Sequence, residues 1–394
     1  MSSPKNIVVG VCGGIAAYKA LDIISTLKKA NYDVNVIMTK SAVEFVTPLS
    51  FQSISQNMVT TDMFAEPKAW EIQHISLAKK ADLILVAPAT ANIIGKVANG
   101  IADDMLTTTI MASKAKVVFA PAMNTNMYNN PIVQENINKL KKLGYSFISP
   151  SRGRLACGDV GEGKLADVKL ITETVSTMLY DKKDMIGKKV LVTAGPTTSP
   201  IDPVRLITNR STGKMGYAIA EEARDRGAEV TLVSGPSNVQ EPFGMNIIKI
   251  NTNEEMYNEV LKYYNSNDIV IKSAAVSDYK IKEYSPLKIK KKEENLTLNF
   301  VKDNDILRKL GELKEKQILV GFAAETDNLI SNAQSKLINK NLDYIVANDV
   351  SYEDIGFASD NNKVTILSRS GEIVHLEKMS KKMVARELFN LINS

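Results

Sequence analysis

Short apolar runs alternate along the chain with longer stretches of helical period. In the first half the runs are 7-IVVGV-11, 34-VNVIMT-39, 83-LILVAPA-89, 117-VVFAPA-122 and 146-SFISP-150. Each is continuous rather than alternating, and turn residues follow it, the pattern of parallel strands covered on both faces. Amphipathic stretches lie between them, 16-AAYKALDIISTLKKA-30 among them, and Asn31 and Gly144 stand where helix C-caps belong. The charged stretch 181-DKKDMIGKK-189 reads as a linker, after which the cycle restarts. It runs through 190-VLVTAG-195, a helix over 214–227, 229-EVTLVSGP-236, 268-DIVIKSAA-275, 318-ILVGFAA-324 and 343-DYIVAN-348. The tail, 363-KVTILS-368, Gly371 and 372-EIVHLEK-378, predicts a β-hairpin. The expected architecture is α/β, two Rossmann-like doubly wound domains over 1–183 and 184–394. Ligands should then bind beyond the carboxyl ends of the strands.

Composition narrows the class. With 394 residues, 44% of them apolar and 24% charged, the chain suits two or three ordinary globular domains. No apolar run approaches the roughly 20 residues of a membrane span, and the first run reads as a buried strand rather than a signal peptide. A formal charge of +5 is too weak a balance for a nucleic-acid binder. Two cysteines, Cys12 and Cys157, make no disulfide framework, which points to a reducing cytoplasm; with only two histidines, a structural zinc site is not expected.

The chemistry should sit in the loops after the strands. The glycines at 10, 13 and 14 begin like a dinucleotide fingerprint, but that pattern needs glycine where Cys12 and Ile15 stand. Strand two ends Met38-Thr39-Lys40-Ser41 rather than in an acid. Hydroxyls and a lysine suit a terminal phosphate better than a ribose diol, so a mononucleotide such as FMN fits better than NAD, beside the plainer reading that Gly13 and Gly14 only permit a tight strand–helix turn. Gly13, Gly14, Ile15, Thr39 and Ser41 are the candidate phosphate side, and Thr90 and Asn92 the rim for a flat ring. The stretch 153-GRLACGDVGEGKLAD-167 reads as a mobile glycine-rich loop around Cys157. In the second half STGKMG invites a P-loop reading, which fails because Thr208 and Met215 occupy positions that need glycine and a hydroxyl residue. Asp278 after 273-SAAVS-277 is a candidate Mg²⁺ ligand, and 288-KIKKK-292 a candidate triphosphate contact.

Taken together, 13-GGIAAYK-19, His74 in 74-HISLA-78, 121-PAMNTNM-127 and 156-ACGDVGEGKLAD-167 resemble the flavin-dependent cysteine decarboxylase family, and within it the 4′-phosphopantothenoylcysteine decarboxylases. The resemblance implies a flavodoxin-like fold and bound FMN that oxidises the substrate thiol to a thioaldehyde, which accepts electrons as CO₂ leaves. It further implies that His74 acts in the oxidative half or positions substrate, that Asn124 beside Met123 holds the substrate carboxylate, and that Cys157 donates the final proton. The family's active site lies between subunits of a trimer, with a dodecamer as a higher assembly. The family often has tryptophan where Tyr128 stands.

The second half, through 193-TAGPTTSPIDPVRLITNRSTGKMG-216, 273-SAAVSDY-279, 288-KIKK-291, 304-NDIL-307, 321-GFAAET-326 and 346-VAND-349, resembles the bacterial, CTP-using phosphopantothenate–cysteine ligases. That resemblance implies activation of the 4′-phosphopantothenate carboxylate as an acyl-cytidylate and attack by the amine of cysteine, with Mg²⁺ assisting. Asn209 would contact the intermediate, Asp278 the nucleotide and metal, and Lys288 the cytidylate or triphosphate. Lys336 and Lys340 would contact CTP, Phe322 and Ala274 would line its pocket, and Asn304, Asp305, Ile306 and Leu307 would lie beside it. Asn304 replaces the family's proline. A dimeric ligase half is implied, with no nucleic-acid or membrane partner. The ligase product is the decarboxylase substrate. Two alternatives compete: an NAD-dependent oxidoreductase, opposed by the glycine spacing, and a non-enzymatic regulator on the flavoprotein fold, disfavoured by His74, Asn124 and Cys157 together.

Overall fold

The computed structural model describes residues 4–64, 72–154, 158–290, 296–325, 328–349 and 359–394. The chain divides between Leu179 and Tyr180 into two compact units.

The first unit is built on six strands, β1 (Asn6–Val11), β2 (Asp33–Met38), β3 (Val59–Thr60), β4 (Leu83–Ala89), β5 (Lys116–Pro121) and β6 (Ser146–Phe147). They pair in the order β3-β2-β1-β4-β5-β6, parallel throughout. This is the Rossmann order; without the two-residue β3 it is also the flavodoxin order. The apolar runs are continuous because each strand feeds two cores. Ile7, Val9 and Val11 pack on one face of the sheet, and Val8, followed by Cys12, on the other. The helix Lys19–Lys29 follows a four-residue 3₁₀ turn and buries Ala20, Ile23, Ile24 and Leu27, one stripe at helical spacing. It ends before Asn31, at φ 66°, as the helix Pro131–Lys142 ends before Gly144, at φ 91°.

Two details differ from the sequence reading. The last strand keeps only two residues of 146–150. The glycine-rich stretch is not simply a loop: Ser151–Arg154 (β7) and Val160–Lys164 (β8) form an antiparallel hairpin.

The second unit carries an eight-stranded sheet. Its strands in chain order are β9 (Lys189–Ala194), β12 (Glu229–Ser234), β13 (Asn246–Lys249), β14 (Ile269–Lys272), β17 (Ile318–Glu325), β18 (Tyr344–Asp349), β19 (Asn361–Ser368) and β20 (Ile373–Ser380). The spatial order is β13-β12-β9-β14-β17-β18-β19-β20, parallel as far as β18 and antiparallel beyond it. The expected hairpin is thus the edge of the sheet. Two small antiparallel pairs lie in stretches without an apolar run: β10 (Thr198–Pro200) with β11 (Leu206–Thr208), and β15 (Tyr279–Ile281) with β16 (Phe300–Lys302). The last helix, Lys381–Ile392, packs Val384, Ala385, Leu388 and Phe389 into the core. The charged stretch 181–189 makes firm contacts within this unit: Met185 is fully buried and Asp184 pairs with buried Arg226 at 3.1 Å.

Candidate active sites

In the first unit β1 and β4 are neighbours while the chain leaves them toward opposite edges, so the crevice falls at their carboxyl ends. Gly13 turns the chain out of β1 against the loop after β2. A Cβ there would lie 2.4 Å from Ser41 Cβ and 2.6 Å from its backbone carbon, so no larger residue fits. Thr39 joins the same corner: its N–H donates to the Val11 carbonyl at 3.0 Å, and its hydroxyl caps a short helix by accepting from Ala42 N at 3.3 Å. On the other side, the cis Ala87–Pro88 bond leads into Thr90, whose hydroxyl accepts from Ile93 N at 3.4 Å. These segments enclose a cleft of about 460 Å³. Gly13, Gly14, Ile15, Thr90, Met123 and Asn124 all line it.

The β7–β8 hairpin closes one wall. Met123 N donates to the Gly163 carbonyl at 2.9 Å, and Asn124 Nδ2 to Asp159 Oδ2 at 3.1 Å. The glycines are there for close approach: a Cβ at Gly163, φ 129°, would lie 2.3 Å from the Met123 carbonyl oxygen, and one at Gly161 2.5 Å from Thr125 Oγ1. Thr39 and Ser41, packed behind Gly13, are not themselves in the cleft lining, and two further candidates fall elsewhere. Asn92 is exposed on the first turn of the helix Ala91–Ala98, away from the cleft lining, and His74, half-buried in the helix Gln73–Lys80, is also outside it. Cys157 lies outside the described residues. Cys12 is a core residue, its thiol pushed up to about 12 by burial.

The second cleft, also about 460 Å³, opens at the carboxyl ends of β14, β17 and β18. Nearly every sequence candidate converges there from separate segments: Asn209, Ala274, Asp278, the 304–307 run, Phe322, Lys336 and Lys340. Asn209 Nδ2 donates to the Ala275 carbonyl at 3.0 Å. The helix Lys214–Asp225 starts at Gly213, φ 82°, and Gly216 lets it lie on β9, where a Cβ would meet Ala194 Cβ at 2.6 Å. Asp305 caps the helix Ile306–Glu312 and pairs with Lys340 at 2.8 Å. Burial opposes its charge, but Lys340 and the Arg308 N–H hold its carboxyl below the usual range. Lys336 pairs with Glu325 at 2.5 Å. Asp278 is exposed at the rim.

Lys288 is the exception. It is exposed and does not line the cleft. Its neighbour Ile289 is held instead, its N–H donating to buried Asp202 at 3.1 Å and its carbonyl accepting from Arg205 at 3.2 Å. Lys214, Lys272, Asn348, Asn362 and Lys381 also line the cleft and were not singled out from the sequence. Asn348 Oδ1 is buried there without a hydrogen-bond partner among the described residues. Lys214 stands in the STGKMG stretch and Asn348 in 346-VAND-349, whereas Lys272, Asn362 and Lys381 give no sequence signal beyond their polarity.

Two doubly wound units, one with a flat glycine-walled cleft and one with a polar cleft rich in lysine, define a two-centre α/β enzyme built on mononucleotide-sized sites. Residues 1–180 match the Flavoprotein family and residues 185–394 the DNA/pantothenate metabolism flavoprotein C-terminal domain. The coenzyme A biosynthesis bifunctional protein CoaBC of Bacillus subtilis (strain 168) is 49% identical over 395 residues, covering 100% of this chain and 97% of its own. Its counterpart in Borreliella burgdorferi is 47% identical, with both chains fully covered. A solved C-terminal domain of a CoaBC protein is 42% identical and covers 54% of this chain and 97% of its own, with a TM-score of 0.47. The chain belongs to the family of coenzyme A biosynthesis bifunctional proteins.

Proposed function

We propose that the protein carries out two consecutive steps of coenzyme A biosynthesis. The second unit joins cysteine to 4′-phosphopantothenate at the expense of CTP, and the first decarboxylates the product to 4′-phosphopantetheine. The convergence of Asn209, Asp278, Asp305, Phe322, Lys336 and Lys340 on one cleft carries the ligase half of this reading.

The first cleft fits a flavin mononucleotide: the tight corner at Gly13 brings the Gly13–Ile15 backbone to the cleft, where its amides would meet a phosphate, and Pro88, Thr90 and Met123 line the same cleft for the ring. FMN, when bound, takes up and returns the electron pair that makes carboxylate loss possible. The chain's own part is orientation and proton handling. Asn124, fixed by its bond to Asp159, offers an uncharged amide to the substrate carboxylate, so the anion is held without being stabilised against departure. Cys157 serves as the final proton donor, since an unperturbed thiol at about 8.5 is a usable acid near neutrality. His74, outside this cleft within one chain, acts in the oxidative half or positions substrate at a site shared between subunits of the trimer.

In the second cleft Asn209 orients the phosphopantothenate carboxylate. Lys336 and Lys340, held by Glu325 and Asp305, stabilise charge that builds on phosphate oxygens as pyrophosphate leaves. Asp278 is a single carboxylate at the rim, which suits a Mg²⁺ ion held mainly by the nucleotide's phosphates. Lys288, exposed and outside the cleft lining, is the assigned contact to the cytidylate or triphosphate. We assign N-terminal trimers, associating to a dodecamer, through dimers of the ligase half, and a cytoplasmic setting; no described helix is long and apolar enough to cross a membrane.

The purified protein should be yellow with an FMN spectrum. It should release pyrophosphate from CTP only with phosphopantothenate and Mg²⁺, and CO₂ once cysteine is added. Cys157→Ser should stall the first unit's reaction at an oxidised, decarboxylated intermediate, after CO₂ has left, while ligation continues. Equal loss of both activities would count against the Cys157 assignment, and a colourless protein indifferent to CTP against the whole reading.

A further inference from the structure

The cations lining the second cleft are not equivalent. Lys336 is matched by Glu325, Lys340 by Asp305 at 2.8 Å and Lys214 by Asp360 at 2.7 Å. Lys272 lines the same cleft with no carboxylate at ion-pair distance among the described residues. Its Nζ donates to the Ala274 carbonyl at a long 3.4 Å. The strand dictates this position. In β14, Val270 packs into the core beside Ile306, Leu307 and Leu310, and Lys272, two residues on, faces the same side. The ammonium therefore rises from the sheet floor at the start of the helix capped by Asp305. Burial, with a smaller repulsion from Lys340, pushes it down to about 8; Asp305 and Asp278 pull the other way without pairing with it. A desolvated cation without a counter-ion is costly until an anion reaches it.

We propose that Lys272 is a phosphate-contacting residue of the ligase, its ammonium donating to an oxygen of the nucleotide's phosphate chain from the floor of the cleft. The proposal rests on the ligase reading above and deepens it. Lys336, Lys340 and Lys214 enter the cleft already neutralised in part; Lys272, on the sheet floor, supplies a charge with no carboxylate paired to it among the described residues. Two consequences follow. Nucleotide binding should be coupled to protonation of one lysine, and the effect should fall on the nucleotide rather than on phosphopantothenate or cysteine.

Lys272→Met keeps the length of the stem and removes the charge; Lys272→Arg keeps the charge. Using the full chain, the KM for CTP, phosphopantothenate and cysteine is measured by pyrophosphate release, together with equilibrium binding of CTP and of inorganic tripolyphosphate. The Met variant should weaken CTP and tripolyphosphate alike, by about 10- to 100-fold as for a lost charged hydrogen bond, with the other two KM values unchanged. The Arg variant should recover most of the loss. In the wild type the KM for CTP should rise as pH passes about 8 and Nζ loses its proton; in the Arg variant, whose guanidinium stays charged, that rise should be absent. Weakened CTP with normal tripolyphosphate binding would move Lys272 to the base and overturn the proposal. So would a change confined to the phosphopantothenate KM, or an Arg variant that keeps the alkaline rise. A wild type that releases no pyrophosphate from CTP would instead sink the ligase reading itself.

Discussion

Gly13 and Lys272 mark the two ends of what a single residue reveals. Gly13 announces itself in the sequence as a turn after a buried strand, and the structure supplies the reason it tolerates no side chain: the backbone of Ser41 is already there. Gly14, next along, has open space around its would-be Cβ. Gly13→Ala should therefore force the β1 and β2 loops apart, costing about 1–3 kcal/mol as overpacking does and releasing flavin on gel filtration. Gly14→Ala should leave the thermal midpoint unchanged. The comparison of melting curves and of absorbance after desalting checks both. Lys272 gives no such signal, because a lysine closing an apolar strand reads as its solvated end; its isolation depends on which carboxylates other segments spend on Lys336 and Lys340. Lys288 shows the converse. The basic run was plain in the sequence, yet Asp202 and Arg205 fasten the chain beside it in a place away from the cleft lining.

At the level of elements, the continuous apolar strands and amphipathic helices were legible because two-sided burial leaves a simple pattern. The short antiparallel pairs were not. The segments that form β7 and β8 are rich in glycine and charge, so local propensity reads them as loop, whereas the pairing is decided by what they dock against. Gly161 and Gly163 lie flat on the 123–125 turn, which turns apparent freedom into a packing requirement. Gly163→Ala meets both a φ of 129° and a backbone oxygen at 2.3 Å. It should lift the hairpin from Asn124 and abolish decarboxylation, read as CO₂ release, while pyrophosphate release from CTP persists. Retained decarboxylation would mean that the hairpin is not a working wall of the cleft.

At the scale of the whole molecule, the junction belongs to the second unit. Arg226, fully buried, donates to Glu222 at 2.7 Å, to Asp184 at 3.1 Å, to the Arg386 carbonyl and to Asn390, and Tyr180 donates to the same Glu222 at 2.6 Å. The network ties the start of the unit to its last helix. Arg226→Met should strand buried Glu222 and destabilise the second unit by about 3–5 kcal/mol, seen in urea unfolding as an early transition that silences ligation before the flavin is lost. Loss of both units in one unshifted transition would contradict the division. The sequence by itself determined the two alternating α/β halves, the strand-end loops as the seats of chemistry and the residue types that fill them, because period and turn chemistry are local properties. Only the tertiary structure decided which lysines are paired, which glycines are contacts and which asparagine is left wanting a partner. Those are properties of charges and backbones brought together from distant stretches, and no local pattern encodes them.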